Sequence, residues 1–137
     1  MIRIAALSAA AMLLLCGCAT LTQPTTQFRD GEVFSINLGE SATNADGSVV
    51  IRFDGVTGDS RCQPGAYCIW AGQLTVRIGI AVRTAPEQKV ELNSVTVPRE
   101  AMVSSYRVEL IEAQAPAQNH QSSEQPTRVH LRVTPMP

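Results

Sequence analysis

The chain has 137 residues, of which 45% are hydrophobic, 17% are charged and only 4% are aromatic. Its formal net charge of -1 and the even spread of its charged residues exclude the basic surface that nucleic-acid binding needs. The low aromatic content argues against a broad surface for stacking sugars. We expect a single domain, since a chain of this length can bury a sizeable core.

The N-terminal segment has the pattern of an export signal. Arg3 precedes an apolar run that is too short and too rich in alanine to favour a helix across a membrane. The run ends at residues 15–18, which read Leu-Cys-Gly-Cys. We therefore predict a signal peptide over residues 1–17. An ordinary cleavage site near Ala19 is the alternative.

Residues 15–18 resemble the lipobox of bacterial lipoproteins. In that family the leader is removed before the cysteine, which carries the acyl chains and becomes the first residue of the mature protein. The resemblance implies lipidation, palmitate included, at Cys18. Members that stay at the inner membrane commonly have aspartate in the next position, where this chain has Ala19. The resemblance therefore implies a lipid-anchored protein of the outer membrane that faces the periplasm.

The chain changes character twice after the signal peptide. Residues 18–28 are rich in threonine and glutamine and lack a hydrophobic period. Such a composition predicts a flexible tether between the membrane and the rest of the protein. Residues 29–137 carry regular apolar patterns, and we predict that they form one β domain.

Six segments of this domain alternate apolar with polar residues, which is the period of a half-buried strand. They are rich in valine and isoleucine, which suit a pleated surface. The segments span residues 34–38, 49–54, 74–83, 90–93, 106–110 and 129–133. One side of each segment is predicted to face a shared core. Its members include Ile51, Phe53, Val76, Ile78, Val108, Leu110 and Leu131.

Turn-forming residues separate the six segments. Residues 44–47 read Asn-Ala-Asp-Gly, a hairpin signal between the first two strands. Residues 84–88 predict a turn after the third strand, and residues 98–102 allow one helical turn at most. Residues 115–126 predict a long polar loop. The whole pattern predicts an all-β fold, either an antiparallel β-sandwich or a small, partly open barrel of about six to eight strands.

Two cysteines, Cys62 and Cys68, remain after the leader and the lipidation site. An exported protein folds in an oxidising compartment, and Pro64 and Gly65 favour a turn that brings the two sulfurs together. We predict a disulfide, with a redox pair or a metal site as the alternative. A redox pair prefers the Cys-x-x-Cys spacing and zinc prefers four ligands. We therefore expect neither a metal nor any other cofactor.

Residues 59–72 read Asp-Ser-Arg-Cys-Gln-Pro-Gly-Ala-Tyr-Cys-Ile-Trp-Ala-Gly. They resemble the Asp-Ser-Arg-Cys-Pro-x4-Cys-x-Trp-Ala-Gly segment of a family of small exported bacterial proteins, many of them lipoproteins. This chain has Gln63 between the first cysteine and the proline. No activity defines that family, so the resemblance implies an exported envelope protein without implying a reaction.

The same segment has a structural interpretation. Asp59 and Ser60 favour a tight turn away from a strand. Trp70 is expected to return the chain to the core and to be buried there. Gly72 permits a close approach of two backbone segments or a positive φ. This interpretation also predicts that Arg61 is paired with Asp59 or with loop carbonyl groups, and that no ligand pocket lies beside the loop.

The functional interpretation makes the segment a recognition loop. Its candidate contact residues are Asp59, Arg61, Gln63, Tyr67 and Trp70. A disulfide that holds the loop rigid lowers the entropy cost of binding. The alternative is an enzyme or a protease-inhibitor-like protein with its site at residues 59–72, although no catalytic sequence motif supports it. We expect a lipid-anchored binding or structural module of the envelope, not an enzyme, with the membrane and an envelope protein as partners and no role for nucleic acid.

Overall fold

The computed structural model describes residues 25–116 and 127–137. The predicted signal peptide, Cys18, most of the predicted tether and most of the predicted loop at residues 115–126 lie outside the described residues. Within the described ranges the chain forms strands and connecting turns and contains no helix. The strands are β1 (Thr26–Phe28), β2 (Val33–Asn37), β3 (Ser41–Asn44), β4 (Val49–Asp59), β5 (Leu74–Val82), β6 (Ala85–Asn93), β7 (Glu100–Val103), β8 (Tyr106–Gln114) and β9 (Arg128–Pro135).

The strands form two sheets with one core between them. The first sheet has the order β1-β3-β4-β5-β6, and the second has the order β2-β9-β8-β7. Neighbouring strands are antiparallel, except that β1 and β3 run parallel. The predicted all-β class is confirmed, and the two separate sheets make the fold a β-sandwich rather than a barrel. The described residues contain nine strands, one more than the upper limit of the prediction.

The core is formed by the inward-facing side of the strands, as the alternating pattern predicted. Ile78 lies opposite Phe53 on β4 and opposite Val90 on β6. Leu110 lies opposite Leu131 in the second sheet. All seven predicted core residues are fully buried, which confirms the prediction: Ile51, Phe53, Val76, Ile78, Val108, Leu110 and Leu131.

The domain starts earlier than the sequence predicted. The predicted tether of residues 18–28 is wrong at its C-terminal end, because Thr26–Phe28 form β1. Phe28 is only 4% exposed, and its ring stacks on that of Phe34 with the ring centroids 4.2 Å apart. Three residues are too few to establish a period of two. The strand is identified only by tertiary contacts, its pairing with β3 and the packing of Phe28 on Phe34.

Three more features differ from the prediction: the strands β3 and β7, and the residue at which β6 begins. β3 and β7 have four residues each, which is too short for their alternation to stand out. Residues 98–102, where the sequence allowed one helical turn at most, contribute to a strand, because Glu100–Val103 pair with β8 and Val103 is buried. The predicted turn at residues 84–88 is too long, because β6 already begins at Ala85.

The predicted hairpin turn at residues 44–47 closes one end of the sandwich and joins β3 to β4. Asn44 is buried there, and its side-chain oxygen accepts a hydrogen bond from the Val49 amide at 3.0 Å. The Ser48 hydroxyl lies 3.0 Å from the hydroxyl of Tyr106, which belongs to the other sheet. We call this the far end of the sandwich.

The opposite end contains the connection from β2 to β3 and two longer connections, and we call it the clamped end. Residues 60–73 join β4 to β5 within the first sheet, and residues 94–99 lead from β6 to β7 in the second sheet. Gln73 joins the two connections, because its side-chain oxygen accepts hydrogen bonds from the Thr96 amide at 3.0 Å and the Thr96 hydroxyl at 2.7 Å. The predicted recognition residues lie at this end.

Candidate functional site

A disulfide closes the connection between β4 and β5, residues 60–73, which we call the clamped loop. The sulfur atoms of Cys62 and Cys68 are bonded at 2.13 Å, and their Cα atoms are 5.8 Å apart. The predicted disulfide is confirmed. Within residues 25–116 and 127–137, no group of three or more His, Cys, Asp and Glu side chains is placed to hold a metal ion.

Two local turns shape the clamped loop. Asp59 accepts a hydrogen bond from the Arg61 amide at 3.1 Å, which is the Asx turn expected of this residue. Inside the disulfide, the Ala66 amide donates to the Gln63 carbonyl oxygen at 3.0 Å, and Gly65 has a φ of 83°. Proline followed by a glycine with positive φ is the pattern of a type II turn. The sequence therefore determines much of the loop through local interactions.

Arg61 ties the clamped loop to the second sheet. Its guanidinium donates to the two carboxylate oxygens of Asp59 at 2.9 and 2.6 Å. It also donates to the carbonyl oxygens of Ala115 and Pro116, at 2.9 Å each. The hydrogen bond with Asp59 raises the pKa of Arg61 above its ordinary value, so its positive charge is retained. Arg61 thus makes both kinds of contact that the structural interpretation predicted, and its donors point inward.

Gly72 lies where the two ends of the clamped loop meet. A Cβ at this position would lie 2.2 Å from the Cα of Arg61 and 2.6 Å from the carbonyl oxygen of Ser60. Both are backbone atoms, which cannot rotate away as a side chain can. The predicted close approach at Gly72 is therefore confirmed, and it explains the glycine.

We expect Gly72→Ala to destabilise the protein by about 1 kcal/mol or more, because the added methyl group overlaps fixed backbone. Gly55 in β4 is the matched control, because a Cβ there would meet nothing within 4 Å. We expect Gly55→Ala to change the free energy of unfolding by no more than about 0.5 kcal/mol. Urea unfolding followed by circular dichroism measures both variants. Equal stability of the two variants would contradict the backbone contact.

Trp70 is not a core residue, so the prediction of its burial is wrong. Its side chain is 58% exposed, and its indole N–H donates to the Ser60 carbonyl oxygen at 3.0 Å. Ser60 and Gly72 pass in direct backbone contact, so no space remains between them for an indole ring. The chain re-enters the core only at Leu74, the first residue of β5.

The clamped end exposes apolar side chains instead. Tyr67 and Ile69 are fully exposed, and Val97 is 85% exposed. Ile69 and Val97 could not be recognised as surface residues from the sequence, because residues in irregular connections follow no hydrophobic period. Nine large hydrophobic residues are exposed in the described part of the chain. Six of them lie at or next to the clamped end: Leu38, Tyr67, Ile69, Trp70, Val95 and Val97.

The two ends of the sandwich differ in charge. The charged residues within residues 60–73 and 94–99 are Arg61, whose guanidinium is paired with Asp59, and Arg99, whose guanidinium donates to backbone carbonyl oxygens of β8. The turns of the far end carry charged residues of both signs: Arg29, Asp30, Glu32, Asp46 and Arg83. In the described part of the sandwich, exposed apolar side chains thus group at the clamped end, and charged turn residues of both signs group at the far end.

An open pocket lies beside the base of the clamped loop, so the structural interpretation was wrong to expect none there. It is lined by Leu38, residues 54–59, Ala115, Pro116 and Thr127. Asp54 pairs with Arg52 and with Lys89, whose Nζ lies 3.4 Å from the carboxylate. The hydrogen bond from Arg52 lowers the pKa of Asp54, which keeps it ionised. Asp59 is paired with Arg61, so both acids of this pocket serve as ion-pair partners.

Comparison with known proteins finds no matching family model, no matching curated protein and no matching solved structure. Within the described ranges, no helix is long and apolar enough to cross a membrane.

Proposed function

We propose that this protein is a lipid-anchored binding module of the bacterial cell envelope, and that the clamped end is its binding surface. The observation that carries the proposal is the grouping of exposed Tyr67, Ile69, Trp70 and Val97 at an end closed by a disulfide. Grouped apolar side chains on a protein surface mark sites that meet a partner or a membrane. Aromatic residues are also enriched in the centre of such interfaces.

The rigidity of the clamped loop supports a binding role. The disulfide, the Arg61–Asp59 pair and the Trp70–Ser60 hydrogen bond order the loop before it meets a partner. Less conformational entropy is then lost on binding. A protease-inhibitor-like loop would direct Arg61 outward, whereas its guanidinium donates to Asp59 and to two carbonyl groups of the chain itself.

The proposed anchor rests on residues 15–18 and on their resemblance to the lipobox. In this proposal residues 1–17 are removed, Cys18 carries the acyl chains, and the protein resides at the outer membrane and faces the periplasm. Acyl chains attach a protein durably when several act together, since each buried methylene contributes about 0.8 kcal/mol. The disulfide supports export, because such bonds persist in oxidising compartments.

We expect Cys18→Ser to abolish acylation, so that the protein leaves the membrane fraction or accumulates as an uncleaved precursor. Cys16→Ser is the matched control, because that residue lies inside the predicted leader and its variant should be processed normally. Fractionation of cells, with mass spectrometry of the N-terminal peptide, measures both. A Cys18→Ser protein that still fractionates as a mature, acylated membrane protein would overturn the anchor.

The binding surface is tested separately by photo-crosslinking in intact cells. A photoreactive residue at position 69 of the clamped loop is compared with one at position 102, because Ile69 and Met102 are both exposed apolar residues. We expect the variant with the photoreactive residue at position 69 to give a crosslinked adduct of one defined mass. We expect the variant with this residue at position 102 to give no adduct of that mass. Adducts of equal yield and mass from both positions would contradict a binding role for the clamped end.

A further inference from the structure

The direction of β1 determines where the N-terminal tether leaves the domain. β1 runs parallel to β3 and antiparallel to β4, with Thr26 opposite Ala42 and Ala42 opposite Ile51. From Ile51, β4 continues to Asp59 at the clamped end. The backbone therefore enters β1 at Thr25 from the side of the clamped end.

The tether is too short to hold the domain away from the membrane. Cys18 and Thr26 are eight residues apart (26 − 18 = 8), which spans at most about 28 Å when fully extended. Ile51 and Asp59 are eight residues apart (59 − 51 = 8) along β4, which is about 26 Å of strand. An acylated Cys18 thus reaches about the level of the clamped loop and no farther. The domain must touch the bilayer with this end or with the edge beside β1.

The exposed side chains favour contact with the bilayer through the clamped end over contact through the edge beside β1. Within residues 60–73 and 94–99 the clamped end carries two charged groups, Arg61 bonded to Asp59 and Arg99 bonded to backbone carbonyl oxygens. The edge strand β1 itself presents the exposed polar residues Thr26 and Gln27 and no exposed apolar side chain. Tyrosine and tryptophan settle at the headgroup level of membranes, where their rings are half in apolar surroundings. The indole N–H of Trp70 is already bonded to Ser60. Its ring therefore enters an apolar layer without leaving a donor unsatisfied.

We propose that the clamped end docks into the headgroup region of the same bilayer that holds the lipid on Cys18. Tyr67, Ile69, Trp70 and Val97 form the contact; the disulfide closes the loop that carries Tyr67, and the hydrogen bond to Ser60 holds Trp70. This inference rests on the proposed lipid anchor. It places the far end of the sandwich, with its charged turns, away from the membrane and toward water.

The test uses the only tryptophan of the chain, Trp70. The processed, acylated protein is purified from membranes. It is then reconstituted into vesicles of phosphatidylethanolamine and phosphatidylglycerol, with or without brominated acyl chains. We expect the emission of Trp70 to shift to the blue on reconstitution. We expect brominated lipid to quench about half of this emission, because tryptophan at the headgroup level lies within reach of the upper acyl chain.

A matched control moves the tryptophan to another exposed apolar position. The double variant Trp70→Phe/Met102→Trp places it on β7, at a residue that is also exposed. We expect its emission to be unshifted and little quenched by the same vesicles. Equal quenching at positions 70 and 102 would overturn docking through the clamped end, since the domain would then lie on a sheet face.

Flotation of the same vesicles shows whether the protein stays attached to lipid. This measurement distinguishes a wrong docking proposal from a wrong anchor proposal. If the protein floats with the vesicles and Trp70 is not quenched, the docking is wrong and the anchor stands. If the emission of Trp70 shifts to the blue only after other envelope proteins are added, the clamped end binds a protein and not the lipid headgroups. If the processed protein neither carries acyl chains nor floats, the anchor is wrong and the docking is overturned with it.

Discussion

Replacing Ile78 with alanine is expected to destabilise the domain by about 2–5 kcal/mol, the range for truncating a large buried aliphatic residue. Ile78 is fully buried at the centre of β5, between Phe53 and Val90 on the neighbouring strands. The truncation removes apolar contacts and leaves a cavity that both sheets border. Urea unfolding followed by circular dichroism measures the loss.

Arg77→Ala is the control for Ile78→Ala, because Arg77 precedes it on β5 and faces the other side of the sheet. Arg77 is exposed and pairs with the exposed carboxylate of Glu91 at 3.0 Å. Ion pairs of this kind contribute no more than about 1 kcal/mol. A loss at Arg77→Ala as large as that at Ile78→Ala would mean that the strand faces have been assigned the wrong way round.

Removing the disulfide is expected to lower the free energy of unfolding by about 2 kcal/mol, because a small closed loop restricts the unfolded chain. Cys62→Ser/Cys68→Ser removes both sulfurs without leaving a free thiol. The wild-type protein can also be reduced directly, because Cys62 is exposed. Urea unfolding of the double variant and of the wild-type protein, each with and without reductant, measures the effect.

The double variant is its own control for the reductant, because it has no disulfide to lose. We expect reductant to lower the stability of the wild-type protein to that of the double variant and to leave the double variant unchanged. We expect only a small change in the emission maximum of Trp70 on unfolding, because its ring is already exposed in the folded protein. Unchanged stability after reduction would show that local turns alone hold the loop.

These outcomes bear on the proposed membrane contact. The disulfide closes the loop that carries Tyr67 and stands next to Ile69 and Trp70. If the bridge contributes rigidity, the reduced protein should still remain on the vesicles through Cys18. Brominated lipid should then quench the emission of Trp70 to a range of extents instead of a single one. The lipid and the clamped loop would then have separate roles, one in attachment and the other in orientation.

The sequence by itself determined the fold class, the core and the bridge. Period two is a local property of the chain, so the inward faces of β4, β5, β8 and β9 could be predicted from residues such as Ile51, Ile78 and Leu131. The cysteine spacing and the turn formers between Cys62 and Cys68 likewise act over a few residues.

Only the tertiary structure decided which residues the clamped end presents. Phe28 joins the domain because Phe34, from the other sheet, offers a ring to stack on. Trp70 stays outside because Gly72 and Ser60 bring two backbone segments into contact beneath it. Val97 joins the apolar end because Gln73 holds its neighbour Thr96. Burial in such connections depends on contacts between segments distant in sequence, which no local period encodes.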